Sequence, residues 1–528
     1  MSLLRNFATV GGATAASRVL GFARDVLIAG FVGTGPVADA FFVAFRLPNL
    51  FRRLFAEGAF NSAFVPLFAR SLEEDGRDGA RRFGEEILAA LFWTLVVLTA
   101  LAEITMPALV WVLAPGFAED ASKFDLAVLL SRITFPYLLC MSLLALIGGV
   151  LNTFNRYTAS ALAPVLLNIV MIAVLTVIAV LGLDASETSV IVLACGVALA
   201  GVVQLLSLIY ALKRFGFSLK LRRPHYTFAV RRLWKLGLPG AIAGGITQIN
   251  IAVGTIIAST QAGAVSYLYY ADRVYQLPLG IVGIAIGVVL LPDLSRFLRS
   301  GNTRGALATQ NRALEFGLSL TLPAAVALIV IPYPIVEVLF QRGAFDAVDA
   351  AATTSALAAY GIGLPAFVLI KVFSSAFFAR EDTATPMWFA GVGMVVNVAG
   401  ALLLVPVLAH VGIALATSIA GWANAGLLMV TLWRRGSFVP DASLKKHFPL
   451  LVLASALMGV LVFAGYYVFL ASIFTSASLL LRVGALAVLV DIGMMTFAIF
   501  IQMTGAVDLL GYFRAALKRR GAKSAKSE

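Results

Sequence analysis

Arginine and aspartate recur in this 528-residue chain at places where apolar sequence surrounds them. Arg18, Arg24 and Asp25 fall in one apolar run, and Asp39, Arg46, Arg52, Arg53 and Glu57 in the next. Asp272, Arg273 and Lys371 lie in later runs. A charge near the bilayer centre costs about 2.5–3.5 kcal/mol on insertion scales, so these side chains must face a hydrated cavity or one another. On a helix Arg18 and Asp25, seven residues apart, are separated by two turns, and Arg24 stands roughly 120° around from Arg18. Arg24 and Asp25 then flank one sector. Arg53 and Glu57, four apart, can pair locally. Asp39, which opens its run, can cap a helix. Arg18, Arg24, Arg52 and Arg273 outnumber the carboxylates left to balance them. The rigid donor fork of a guanidinium suits phosphate or carboxylate, and two or three forks suit a diphosphate. A cation exporter would need an acidic site instead. The pattern predicts an anionic head group bound by Arg18, Arg24, Arg52 and Arg273, with Asp25, Asp39, Glu57 and Asp272 as gating or supporting carboxylates.

Other chemistry finds little footing. There is no phosphate-loop pattern, no HExxH and no paired-cysteine motif. Cys140 and Cys195 both sit in apolar runs, and His225, His410 and His447 are scattered, so no metal site is expected. No nucleophile–base set is evident, and the chain reads as a transporter without a cofactor rather than as an enzyme.

The elements that must position the charges follow from composition. Hydrophobic residues make up 60% of the chain and charged ones 13%, about half the share of a soluble domain. The mean hydropathy is +0.95. Apolar runs of roughly 20 residues match a helix crossing hydrocarbon, and they lack the alternation of a barrel strand. Fourteen spans are predicted, at 10–33, 37–66, 84–110, 128–152, 160–181, 188–212, 233–258, 265–291, 312–332, 350–378, 384–405, 410–432, 448–471 and 480–504. The first is read as a span rather than a cleaved signal. The second holds Pro48 and Pro66 and is expected to bend or break. Lys235, Arg312 and Arg482, near span ends, are expected to snorkel.

The net charge of +13 is distributed by side, and so argues for the membrane rather than for nucleic acid. One set of loops holds 27 basic residues, with clusters at Arg70–Arg82, Lys213–Arg232, Arg434–Lys446 and Arg514–Lys526. The opposite set holds two, Lys123 and Arg342. The positive-inside rule makes the first set cytoplasmic and, with an even number of spans, puts both termini inside.

The halves of the chain also repeat. Gly33 and Pro48 recur as Gly263 and Pro278 at an offset of 230, and Pro136 and Asn168 as Pro365 and Asn397 at 229. The offset carries span 1 onto span 7, predicting two parallel six-helix lobes, a transporter architecture. The expected organisation is a lobe at 1–212, a basic linker at 213–232, a second lobe at 233–432, two additional helices at 433–504 and a basic tail at 505–528.

The string SRVLGFARD at 17–25, followed by DAFFVAFRLPNLFRRLFAEGAFNSAFVPLFAR at 39–70, resembles the MurJ (MviN) family of lipid II flippases. APGF at 114–117, ITFPYLL at 133–139, LNTFNRY at 151–157, YYADRVYQLP at 269–278 and FFAREDTATP at 377–386 continue the likeness along almost the whole chain. The resemblance implies membership of the multidrug/oligosaccharidyl-lipid/polysaccharide exporter superfamily, with two lobes around a cavity in a bacterial inner membrane. It implies movement of lipid II, the undecaprenyl-diphosphate-linked disaccharide-pentapeptide, to the outer leaflet for peptidoglycan synthesis and cell shape. Cavity arginines of the family match Arg18, Arg24, Arg52 and Arg273, and the acidic residue opening the second span matches Asp39. The last two helices would form a groove for the polyprenyl tail. Gln276 stands where some relatives carry Glu. Span 7 has no carboxylate between Leu236 and Ala258, which argues against the sodium coupling of some relatives. Gly33, Pro48, Gly263 and Pro278 are hinge candidates for alternating access driven by membrane potential. Expected partners are lipid II, membrane lipids and cell-wall synthesis proteins, with a monomer as the working unit. A flippase for another polyprenyl-diphosphate-linked oligosaccharide is the alternative.

Overall fold

A computed structural model describes residues 2–52, 59–225, 227–476 and 478–505. Every regular element among them is helical. The first half holds α1 (Ser2–Val32), α2 (Pro36–Arg52), α3 (Ala59–Glu74), α4 (Gly76–Leu113), α5 (Ala121–Thr134), α6 (Tyr137–Thr153), α7 (Thr158–Val180), α8 (Glu187–Arg214) and α9 (Phe228–Ser259). The second holds α10 (Ala264–Arg299), α11 (Thr303–Val330), α12 (Pro332–Phe340), α13 (Ala347–Phe378), α14 (Ala384–Leu408), α15 (His410–Arg434), α16 (Ala442–Ala464), α17 (Ala471–Ser476) and α18 (Leu479–Met503). A π-helical segment, Gly465–Leu470, joins α16 to α17.

Ten helices, counting α5–α6 and α16–α17 as single spans, are long and apolar enough to cross a membrane. The remaining expected spans are α1, the α2–α3 pair, α9 and α10, which complete fourteen. α1 and α10 are 31 and 36 residues long, ample for a bilayer. Embedded charges dilute the hydropathy of α1, whereas α10 carries none from Val274 to Leu291. Lipid-facing character shows on the outside of the others: Ile104, Val407, Leu480 and Met503 are more than 70% exposed. In water that surface would be a liability; in hydrocarbon it costs nothing. Pro48 and Pro66 both lie inside helices, and residues 53–58, with Arg53 and Glu57, fall outside the described residues.

The chain forms two compact units. Unit 1 is Met1–Tyr270 with Phe340–Asp349, and unit 2 is Ala271–Leu339 with Ala350–Glu528. Within unit 1, α1 packs on α7, α2 on α5, and α9 on α3 and α4. The first helix of the second sequence repeat therefore packs with the first repeat's helices, because the aligned period does not dictate which faces bury each other. The core of unit 1 is centred on Phe64, Phe68, Leu146, Leu208 and Phe217. In unit 2 one core joins Leu294, Phe373, Phe377 and Leu428. A second, through Leu451, Met458 and Leu489, fastens α16 and α18 to α11.

Candidate functional site

α1 presents its two arginines in different states. Arg18 is exposed and, among the described residues, makes no hydrogen bond or ion pair. Arg24, one and two-thirds turns on, is 7% exposed. Its Nε and Nη2 donate to Asp25 Oδ1 at 3.1 and 2.8 Å, and its Nη1 donates to Asn168 Oδ1 at 3.1 Å. Asn168, on α7, donates in turn to the Ser17 carbonyl at 2.9 Å. Tyr269 O–H donates to Asp25 at 3.1 Å. Arg24 is thus a preorganised cation fixed by a carboxylate and an amide, and Asp25 is its orienting partner.

Asp39, in the first turn of α2, is fully buried. Its Oδ2 accepts from Lys123 Nζ at 2.9 Å and from the Gly263 N–H at 3.1 Å. Its Oδ1 accepts from the Ser266 N–H at 2.9 Å and the Ser266 hydroxyl at 2.8 Å. The capping role foreseen for Asp39 is real but directed elsewhere. It caps α10, satisfying N–H groups that helix geometry leaves without partners. Lys123 also sits 4.0 Å from the Phe117 ring centroid.

The end of α1 is held by distant parts of the chain. The last carbonyls of a helix have no intrahelical donor. Here Ala344 N–H donates to Gly30 O at 2.8 Å, Ala185 N–H to Phe31 O at 2.7 Å, and Tyr270 O–H to Gly33 O at 2.8 Å. Thr34 donates to Asp349. Gly33 has φ +72° and Gly343 φ +56°. A Cβ on Gly33 would meet the Ala344 carbonyl at 2.4 Å, so the strap 340–349 can lie on the α1–α2 turn only because no side chain intervenes.

The remaining candidates are placed separately. In unit 1, Arg52 is half-buried and donates to Asn49 Oδ1 at 3.2 Å, and Arg46 donates to Thr255. Pro48 is buried within α2, and Gly263 takes φ +73° just before α10. In unit 2, Arg273 and Asp272 are half-buried on α10, Gln276 donates to Asp272, and Pro278 lies within the same helix. Lys371 on α13 lies across Gly283 of α10, where a Cβ would come within 2.9 Å of its Cε. Glu57 is outside the described residues. Arg482, expected to snorkel, instead pairs with Glu337 at 3.0 Å, because that buried carboxylate on α12 draws it inward. Sequence reasoning missed Lys123 and Ser266 as partners of Asp39. The scarcity of outer basic residues was a usable signal: of the two, Lys123 holds Asp39 and Arg342 packs over Gly30.

Residues 28–484 match the family model described as lipid II flippase MurJ. The chain belongs to the MurJ family. It is 49% identical to the probable lipid II flippase MurJ of Rhizobium tropici over 98% of this chain and 97% of that protein. It is 36% identical to the lipid II flippase MurJ of Burkholderia cenocepacia over 87% of this chain and 89% of that one. Among solved structures, a lipid II flippase MurJ in an inward closed conformation superposes with a TM-score of 0.78, at 27% identity, over 94% and 98% of the two chains. An inward-facing MATE family transporter of the MOP superfamily shares the fold, with a TM-score of 0.68 at 19% identity over 81% and 96%. MurJ membership and the apolar helices make this an integral protein of a bacterial membrane. In this chain Arg24 and Asp25 centre one hydrogen-bonded hub and Asp39 another.

Proposed function

We propose that this chain flips lipid II from the inner to the outer leaflet by alternating access, without enzymatic chemistry of its own. The observation that carries this reading is the pairing of family membership with the two states of the α1 arginines. Arg18 is exposed and, among the described residues, makes no hydrogen bond or ion pair, so it is suited to meet an anion. Arg24 is locked by Asp25 and Asn168 and offers a fixed field rather than a mobile contact. A preorganised cation loses little rotamer entropy when the diphosphate arrives. Arg52, Arg273 and Lys371 supply further positive charge along the route. Asp39, Glu57 and Asp272 act as gating or supporting carboxylates, and the basic loops and both termini face the cytoplasm. The two C-terminal helices carry the polyprenyl tail, and the chain works as a monomer.

Membrane potential, inside negative, drives an anion outward by about 2.3 kcal/mol per charge per 100 mV. The same field draws an empty, net-positive site back inward, so potential suffices for both half-cycles without ATP or sodium.

The test is the exposure of lipid II on the outer face of cells depleted of the protein, read with an impermeant enzyme that cleaves the exposed head group. Wild type restores exposure, and Arg18→Gln does not although it inserts normally. Restoration by Arg18→Gln, or unchanged exposure on depletion, overturns the reading. Loss of exposure of a different polyprenyl-linked glycan alone would favour the alternative substrate.

A further inference from the structure

Among the described residues six helices, α6, α7, α8, α10, α13 and α15, end in the same way. A left-handed residue is followed by one whose N–H reaches five residues back, the double-bonded C-cap that satisfies terminal carbonyls. At α6 these are Asn155 (φ +58°) and Arg156, donating to Leu151 O at 2.9 Å. At α8 they are Gly216 and Phe217, donating to Leu212 O at 3.2 Å. At α13 they are Glu381 (φ +64°) and Asp382, donating to Phe377 O at 3.1 Å, and at α15 Gly436 and Ser437, donating to Leu432 O at 2.8 Å. The ends of α6 and α8 form one corner in unit 1, and those of α13 and α15 form its counterpart in unit 2. Position for position, Arg156 answers to Asp382, and Phe215 to Arg435.

In unit 2 the corner is closed internally. Arg435 donates to Asp382 Oδ2 at 2.7 Å, with its Cζ 5.5 Å from the Phe377 ring centroid. In unit 1 an arginine stands in the place of the acid, and a second arginine joins it. Arg156 Cζ lies 5.2 Å from the Phe215 ring centroid, and Arg77, at the start of α4, lies 5.5 Å from the same ring and 5.7 Å from Phe154. Both arginines are exposed, and among the described residues neither guanidinium makes a hydrogen bond or ion pair. Two nearby acids have other partners: Asp78 holds Arg81 at 3.3 Å and Glu74 holds Arg70 at 2.8 Å. Two guanidinium groups on one aromatic ring repel each other. Contact with the ring stabilises each and leaves the N–H donors at its edge unused.

We propose that this corner binds the phosphate of an anionic lipid headgroup, which takes between Arg77 and Arg156 the place that the Asp382 carboxylate takes in unit 2. Its depth favours a lipid over a free anion. Leu162, one turn into α7, and Tyr210, one turn before the end of α8, are exposed in the manner of lipid-facing and interfacial residues. The guanidinium groups therefore stand at headgroup level, on the side rich in Lys and Arg.

The test uses the full chain in nanodiscs of phosphatidylcholine titrated with phosphatidylglycerol, reading the rise in melting temperature. Arg77→Gln with Arg156→Gln should weaken the apparent affinity for phosphatidylglycerol about 25-fold, at about fivefold per arginine near an anionic surface. Arg82→Gln, an exposed neighbour outside the corner, should leave it unchanged. Arg156→Asp should imitate unit 2, keeping the melting temperature in pure phosphatidylcholine while abolishing the response to phosphatidylglycerol. The proposal fails if the double variant responds like wild type or if Arg82→Gln loses as much. It also fails if inorganic phosphate alone reproduces the full rise, since the ligand would then be a free anion.

Discussion

Replacing Lys123 by Met should destabilise unit 1 far more than its position in a loop-proximal turn suggests. The methionine keeps most of the apolar stem and removes only the charge. Asp39 has no solvent exposure and accepts from four donors, of which the ammonium is the only charged one. Leaving a buried carboxylate without its counter-charge costs about 3–5 kcal/mol. The three neutral donors remain and offset part of this, so we expect about 2–4 kcal/mol. Asp39→Asn should cost about 3–5 kcal/mol by another route. An amide brings its own N–H2 into a pocket of donors, leaving at least one buried donor unsatisfied and Lys123 without its anion. The combined variant contains no buried charge at all. Its loss should therefore fall short of the sum by about 2 kcal/mol, the coupling typical of contacting groups. Reversible unfolding in mixed micelles, followed by tryptophan fluorescence, measures all three. Losses that add to within about 0.5 kcal/mol would mean that the two side chains do not act as a pair.

Other outcomes follow from the same geometry. Gly33→Ala should cost about 1–3 kcal/mol or more, from the positive φ and from contact with the Ala344 carbonyl, and a thermal melt would register it. Gly283→Ala should leave stability nearly unchanged, because the Lys371 stem can move aside, yet should lower lipid II exposure if that lysine serves the route; equal activity would remove Lys371 from it. Asp382, outside the spans, has its carboxyl held down at about 2 by the Thr385 N–H, then by Arg435 and the Thr385 hydroxyl. Its contribution is present above the ordinary carboxylate value of about 4 and is lost as pH falls toward 2. Asp382→Asn should therefore flatten the fall in melting temperature over that acid range. Collapsing the membrane potential while ion gradients are preserved should slow transport; an unchanged rate would exclude potential as the driving force.

The helical class and the fourteen spans were legible because the bilayer dictates length and composition. The basic–apolar asymmetry was legible too, since it is written in residue type. The partners of the charged residues were less so. That Arg24 is adjacent to Asp25 could be read directly, but Asn168 lies 144 positions away and Ser266 is 227 from Asp39, separations that no periodicity encodes. Asp39 capping α10 rather than its own helix reflects the same limit: sequence shows that an N-terminus attracts an acid, not which N-terminus it meets. The Arg482–Glu337 pair was missed because a snorkelling arginine and a paired one look alike until a buried carboxylate is located.

The grip on the end of α1 has a consequence for how the chain is made. α1 emerges from the ribosome well before the strap, and the donor for its Gly30 carbonyl, the Ala344 N–H, is synthesised about 300 residues later, some 15–60 s at ordinary elongation rates. Until then that carbonyl must find water or stay at the bilayer surface. Early in synthesis, α1 can be held by α7 and by the Ala185 turn, and its final seating waits for the strap. A chain cut short before residue 340 should show an α1 terminus open to amide exchange that the complete chain protects.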